Sequence, residues 1–315
     1  PKARELGIDF LELAELEMDR FSQDMEALNT RPATLEPRAT QSIAGMIELI
    51  RVLESGGHTY TNDGITYFDV TTFTSFGKLS RLTSEEMTAL AAERGGSPDD
   101  PRQRNPLDFV LWQPSGDGEP QWDSPFGPGR PGWHIECSAM SMEALGTTID
   151  IHGGGGDLIF PHHECEIAQS ESVTGEPFSR YWVHAGLVAY QGTKMSKSLG
   201  NLVFVSDLRQ QIDPRAIRLA LMAHHYRSDF EWFDEEAERA QSHLELLVRA
   251  AGGAAPVNNS PLANEVRDAL DDDLDTPRVH AALIAAAQSV EDGVSSLNQG
   301  SIVAAASLCG IDLRH

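Results

Sequence analysis

The sequence is poor in cysteine and in basic side chains. It holds 3 cysteines in 315 residues, too few for a disulfide framework, so a reducing cytoplasm is the expected location. Lysine and arginine number 24 against 48 aspartates and glutamates, which leaves a formal net charge of −24. That balance argues against a surface built to hold a phosphate backbone. It leaves room for small anions, which a local nest of amides or a pair of lysines can bind. No apolar run reaches the ~18 residues of a membrane-spanning helix. The opening residues Pro1–Gly7 lead into no apolar segment of the signal-peptide kind. They include no initiator Met and begin inside a helical pattern, so a fragment or processed form is expected. A chain with 40% hydrophobic and 23% charged residues remains globular, with room for one large domain or two ordinary ones.

What is present is concentrated between Trp133 and Glu166. The stretch Trp133-His134-Ile135-Glu136-Cys137 is followed by Asp150-Ile151-His152, a run of four glycines (Gly153–Gly156), Asp157, and then Pro161-His162-His163-Glu164-Cys165-Glu166. Thiolate, imidazole and carboxylate are zinc ligands. Glycines after the apolar pair Ile149 and Ile151 suggest backbone lying close to a ligand. A single cysteine is more often a small buried hydrophobe, and a single histidine a satisfied core residue. Cys137 on one helix, His162 opening the next and Glu166 one turn further on together favour zinc. Their spacing is not that of a zinc finger.

The rest of the chain reads as alternating elements. Helical spacing runs over residues 4–28 and again from Thr40 to Gly56-Gly57. Thr59–Val70 is a hairpin with Asn62-Asp63-Gly64 at its turn. A short helix starts at Thr83, residues 93–104 form a charged exposed loop, and Asp108–Trp112 reads as a strand. A helix over 135–145, a strand over 148–152, the glycine loop, a helix from His162 to Glu171 and a buried strand from Trp182 to Tyr190 follow. This alternation predicts an α/β fold with a parallel sheet and ligands beyond its carboxyl ends. After Asp213-Pro214 the chain is helical, interrupted by a polar linker over 252–261. The expected division is an incomplete Rossmann-like domain over 1–212, with a connective insertion at about 30–130, and a helical domain over 213–315. Between them, Lys194-Met195-Ser196-Lys197-Ser198 places two lysines and small hydroxyl residues after a strand, a loop suited to polyphosphate.

The Gly132–Cys137 stretch, Phe160-Pro161-His162-His163-Glu164 and the Lys194–Ser198 loop together resemble the cysteine-activating branch of class I aminoacyl-tRNA synthetases, over nearly the whole chain. The resemblance implies a partial class I Rossmann-like parallel-sheet domain followed by a C-terminal helical bundle. It implies activation of L-cysteine by ATP, with Mg²⁺, to cysteinyl-adenylate. It also implies one Zn²⁺ per chain, on Cys137 and His162 with Glu166 as a further candidate, which takes the substrate thiol and so rejects serine. Trp133 would wall the cysteine pocket. Gly155, Gly156 and Asp157 would contact the adenosine of the adenylate, and Val188 the adenine. Lys194 and Lys197 would be the catalytic side chains of an ATP loop comprising Lys194, Met195, Ser196, Lys197 and Ser198. In the family a first zinc cysteine and a His-x-Gly-His motif precede the point at which this sequence begins. Cys165 is expected to be a helix spacer and Cys309 a core residue.

The branch uses two kinds of acceptor. Glu93-Arg94-Gly95-Gly96-Ser97-Pro98, Ala216–Arg227, Phe230-Glu231-Trp232, Asp272–Pro277 and the ending near Cys309 resemble the ligase of mycothiol biosynthesis, whose acceptor is the amine of glucosaminyl-inositol. Glu166 and Leu199 resemble cysteinyl-tRNA synthetase, whose acceptor is tRNA. The favoured reading is the ligase, a monomer that takes L-cysteine, ATP and glucosaminyl-inositol. The alternatives are a truncated cysteinyl-tRNA synthetase and, from a different class, a non-catalytic zinc- or nucleotide-binding remnant.

Overall fold

Two compact units make up the chain, one of residues 34–185 and one of residues 1–33 with 186–315. The computed structural model describes residues 2–196, 199–294 and 297–314. Both units are α/β, with parallel strand pairs in each. Among the described residues no helix is long and apolar enough to cross a membrane.

In the unit 34–185, the helix Ile43–Ser55 buries Met46, Leu49, Ile50 and Leu53, the three-and-four spacing of an amphipathic helix. The predicted hairpin forms from strands Thr59–Asn62 and Ile65–Phe68, with Asn62 opposite Ile65. Its two turn residues, Asp63 and Gly64, have φ of 51° and 73°, the left-handed pair that a two-residue hairpin turn requires. Phe109–Gln113 and Arg130–Pro131 extend this into a four-stranded antiparallel sheet. Leu111, Trp112, Phe68 and Phe109 pack from the sheet onto Ile135, Ala139, Cys165 and Ala168 of two helices, Trp133–Leu145 and Glu164–Thr174. Beside them, Ile149–Gly155 pairs in parallel with Ser179–Ala185. The glycine run is therefore mostly strand where a loop was expected. Its backbone finds a complete ladder partner, Gly153 opposite Val183 and Gly155 opposite Ala185, and that pairing outweighs the weak strand propensity of glycine.

The predicted buried strand from Trp182 to Tyr190 is two strands, Ser179–Ala185 and Val188–Tyr190. The first is not buried, since Tyr181 is 68% exposed and faces solvent with Ile151 of its neighbour. In the other unit, Val188–Tyr190 lies between Thr193–Lys194, antiparallel, and Phe230–Trp232, parallel. Six helices follow it in sequence among the described residues, Val205–Leu208, Pro214–Met222, Asp234–Ala251, Pro261–Asp271, Thr276–Glu291 and Gln299–Leu308. Asp213, Ser260, Asp275 and Asn298 each cap a helix by accepting a backbone N–H of its first turn, which satisfies donors the helix leaves unpaired. Leu219, Leu244, Leu247, Val266, Leu283 and Ile302 form their common core. The helix Phe10–Ala27 belongs to the same unit. Arg209 Nε sits 3.0 Å from Asp24, and Arg218 donates to the carbonyl of Leu28 at 2.9 Å. The helical spacing read over 4–28 is two helices, Lys2–Leu6 and Phe10–Ala27, broken at Gly7 with φ of 69°, and neither has a buried residue.

Candidate functional site

The cluster at the heart of the unit 34–185 is assembled from two helix starts. Gly132 caps the helix Trp133–Leu145, where a Cβ would fall 2.0 Å from the carbonyl oxygen of Val110. Only glycine lets this helix start against the sheet. The second start follows a kink, with Phe160 in extended backbone at φ −139° and ψ 134° before the helix Glu164–Thr174. Three devices hold the kink and helix in place. Arg94, at the end of the helix Ser84–Glu93, donates to the carbonyls of Asp157 at 2.7 Å and Phe160 at 2.5 Å. Glu164 is fully buried and accepts the amides of Gly77 (3.0 Å), Leu79 and Ser80 (both 2.6 Å). Ser138 and Gln169 join the two helices side chain to side chain at 2.6 Å.

Cys137, His162 and Glu166 each direct a ligand atom inward, and these atoms lie within 4.8 Å of one another. His152, His163 and the same Glu166 form a second such group. Around Glu166 Oε2 stand the Nε2 atoms of His152 at 3.3 Å, His162 at 3.7 Å and His163 at 3.9 Å. The glutamate is wholly buried, yet neither of its carboxylate oxygens accepts an aligned hydrogen bond among the described residues. The imidazoles are themselves held from behind. His134 Nδ1 is 2.8 Å from His162 Nδ1, and His184 Nε2 is 2.9 Å from His163 Nδ1. Trp133 stacks on the His162 ring with centroids 4.3 Å apart, and Trp182 packs against His152 and His163.

Burial sets the protonation states. It lowers His134 to about 4. Burial and then neighbouring imidazoles lower His162 and His163 to about 3. The Cys137 thiol is pushed up to about 12, by burial first and then by Glu166 and Glu136. Burial also raises the Glu166 carboxyl. A thiol, neutral imidazoles and a buried carboxylate shared by the two groups are a donor set that a cation completes. The soft sulfur with nitrogen and oxygen suits zinc. The ring contacts behind His162 and His163 are the kind of support that fixes the orientation of a ligand imidazole.

The glycine run has a different role from close ligand approach at one position. A Cβ on Gly154 would meet His163 at 2.8 Å and Leu158 at 3.0 Å, so this glycine makes room for a cluster imidazole. Gly155 ends the strand, and Gly156 and Asp157 enter the short 3-10 turn Gly156–Leu158. Cys165 is 1% exposed and packs in the core with Ile135 and Phe68, so it is a core residue where a spacer was expected. Cys309 lies in the helical core.

In the other unit, Val188 and Lys194 line one cavity of about 390 Å³ with Asp229, Phe230 and Glu231. Asn201 braces the loop that follows. Its Oδ1 accepts the Ser196 amide at 2.9 Å, while its Nδ2 donates to the Thr193 hydroxyl at 3.1 Å and the Tyr190 carbonyl at 3.2 Å. Met195 packs against the helical core. Lys197 and Ser198 lie outside the described residues. Sequence reasoning assigned no role to His134, His152, His163, His184, Arg94 or Asn201. The histidines carried a signal in their density, but which of them support and which ligate depends on the pairing of distant strands.

The family model for the class I (C) tRNA synthetase catalytic domain matches residues 1–242. A Streptosporangium roseum protein named L-cysteine:1D-myo-inositol 2-amino-2-deoxy-alpha-D-glucopyranoside ligase is 48% identical over 277 residues, 88% of this chain and 68% of the relative. A cysteine–tRNA ligase of Pelobacter propionicus is 42% identical over 313 residues, 91% of this chain and 63% of the relative. Among solved structures, Mycobacterium tuberculosis methionyl-tRNA synthetase with methionyl-adenylate superposes with a TM-score of 0.63 at 17% identity. It covers 98% of this chain and 78% of that one, a likeness of fold.

Proposed function

Because the chain belongs to the family of class I (C) tRNA synthetase catalytic domains, we propose that it activates L-cysteine with ATP and passes it to the amine of glucosaminyl-inositol. The cysteine carboxylate attacks the α-phosphorus of ATP, releasing pyrophosphate, and the acceptor amine then displaces AMP to form an amide. The cluster around Glu166 carries the cysteine-activating half of the reading. A buried carboxylate that accepts no aligned hydrogen bond among the described residues, ringed by His152, His162 and His163 and near a thiol, is hard to account for in a merely packed core. Cys137, His162 and Glu166 would hold Zn²⁺, which when bound supplies a soft Lewis acid for the substrate thiolate.

The remaining work falls to side chains that position and neutralise. His134 fixes the Nδ1 side of His162 and leaves Nε2 toward Glu166. Trp133, stacked on His162 and 52% exposed, offers an indole wall to the cysteine. Gly155, Gly156 and Asp157 would take the adenosine, and Val188 the adenine. Lys194, beside Val188 in their shared cavity, would neutralise the phosphates, with Lys197 completing the pair and Met195, Ser196 and Ser198 the loop. Such a step needs placement and charge stabilisation without a covalent enzyme intermediate. Mg²⁺ accompanies the ATP, and the protein is proposed to act as a cytoplasmic monomer.

The ligase reading is supported by the 48% identical relative that bears that name. Glu166 and the cysteine–tRNA ligase at 42% identity favour a second reading, in which tRNA is the acceptor. Incubating the intact protein with cysteine, ATP and Mg²⁺ and either acceptor separates the two. The expected product is the cysteinyl amide of glucosaminyl-inositol, lost on zinc chelation and not formed with serine. Cysteinylated tRNA without any amide would overturn the ligase reading.

A further inference from the structure

A cavity of about 350 Å³ lies in the unit 34–185 beside the cysteine cluster, lined largely by residues given no role above. Its lining is mixed, with Phe76, Phe109 and Phe160 as apolar members and Tyr67, Gln103 and the Asp100–Arg102 pair as polar ones. Tyr67 is 1% exposed, and its hydroxyl has no hydrogen-bond partner among the described residues. The Gln103 Oε1 atom is also buried without a partner among them. Burial, then the charge of Asp100, raises the Tyr67 phenol, so it remains a donor at neutral pH. Two unpaired polar groups lining one cavity are a standing cost that a hydrogen-bonding ligand would remove.

The charges around the cavity indicate which ligand. Arg94 is committed to the carbonyls of Asp157 and Phe160, Arg102 to Asp100, and Arg130 lies 3.4 Å from Glu119. An anion would have to compete with these internal partners. A neutral ring with hydroxyls on its edge and C–H groups on its face matches the lining without displacing anything. Trp133 and His134 line the cavity, and both also touch His162, by stacking and by a 2.8 Å contact respectively. The cavity and the cysteine cluster thus share a wall.

We propose that this cavity is the acceptor subsite, and that it binds a polyhydroxylated sugar or cyclitol ring through Tyr67 Oη and Gln103 Oε1. The role of the cavity as the acceptor site rests on the ligase reading, whereas binding of the polyol is read separately. The test titrates glucosaminyl-inositol into the intact protein by calorimetry, in wild type and in Tyr67→Phe and Gln103→Leu. Each variant is expected to weaken binding about five- to tenfold, the loss of one hydrogen bond. In steady state the acceptor KM should rise several times more than the cysteine KM. Tyr67→Phe should also melt, without acceptor, no lower than wild type, because it deletes an unpaired hydroxyl. Wild-type affinity in both variants, or no binding of glucosaminyl-inositol by the wild type, would overturn the subsite. Amide formation with wild-type affinity in both variants would sink the subsite and leave the ligase reading intact. Weakened polyol binding by an enzyme that charges only tRNA would do the reverse.

Discussion

Two glutamates two residues apart show what decides the role of a buried carboxylate. Glu164 and Glu166 are both wholly buried on one helix. Glu164 receives three backbone amides, so its desolvation is offset and it serves to hold the loop 77–80. Glu166 receives none among the described residues, and the free energy it costs is recovered only when something cationic arrives. Substitution should separate them. Glu164→Gln places an amide NH₂ against backbone donors and is expected to lower unfolding stability by about 3 kcal/mol, measured by urea titration. Glu166→Gln is expected to leave the metal-free protein at least as stable while lowering zinc content after dialysis. A Glu166→Gln protein that holds zinc as tightly as wild type would remove Glu166 from the proposed ligand set. The sequence made Cys137, His162 and Glu166 visible because motif and helical spacing place them together. It gave no role to Glu164, because the three amides that Glu164 accepts come from a loop more than eighty residues away.

At the scale of elements, local signals were reliable and pairings were not. Asn62-Asp63-Gly64 gave a hairpin, and Thr83 with Glu86 forms a reciprocal capping box at the start of the helix Ser84–Glu93. The glycine run and the Trp182–Tyr190 strand were misread because partner strands decide both. Gly186 closes the gap between the two observed strands, and a Cβ there would fall 2.2 Å from the Ser228 carbonyl oxygen. The loop 93–104 was read as exposed, which holds for Gly95, Gly96, Ser97, Asp99, Pro101 and Arg104, while Arg94 is half-buried. Arg94 within it ties the kinked segment that delivers His162 and His163. Arg94→Met keeps an unbranched apolar stem and deletes both hydrogen bonds. Loss of such support behind metal ligands typically costs 10- to 100-fold in affinity, so zinc affinity is expected to fall about tenfold with only a modest drop in Tm. Competition with a chromophoric chelator measures it. Wild-type zinc affinity in this variant would show that the kink holds itself.

The whole molecule bears on a question its elements cannot address, namely which acceptor its surface favours. That residues 1–33 fold with 186–315 could not be read from local pattern, because contacts such as Asn29 to the Gly310 carbonyl at 2.7 Å span nearly the full chain. Net charge, by contrast, needs no fold. With 24 basic and 48 acidic residues, the long-range field repels a polyanion, and many basic side chains already face carboxylates, as Arg102 faces Asp100, Arg215 Asp213 and Arg227 Asp273. Binding of tRNA without a basic footprint gains little from counterion release. Total tRNA at about 10 µM in about 0.15 M salt is therefore expected to leave the rate of amide formation unchanged. Lowering the salt to about 0.02 M lengthens the reach of the repulsion and should not turn tRNA into an inhibitor. An inhibition that steepens as salt falls would reveal a local basic track that the total charge conceals. Weight would then move from the amino-sugar acceptor toward tRNA, the direction in which Glu166 already points.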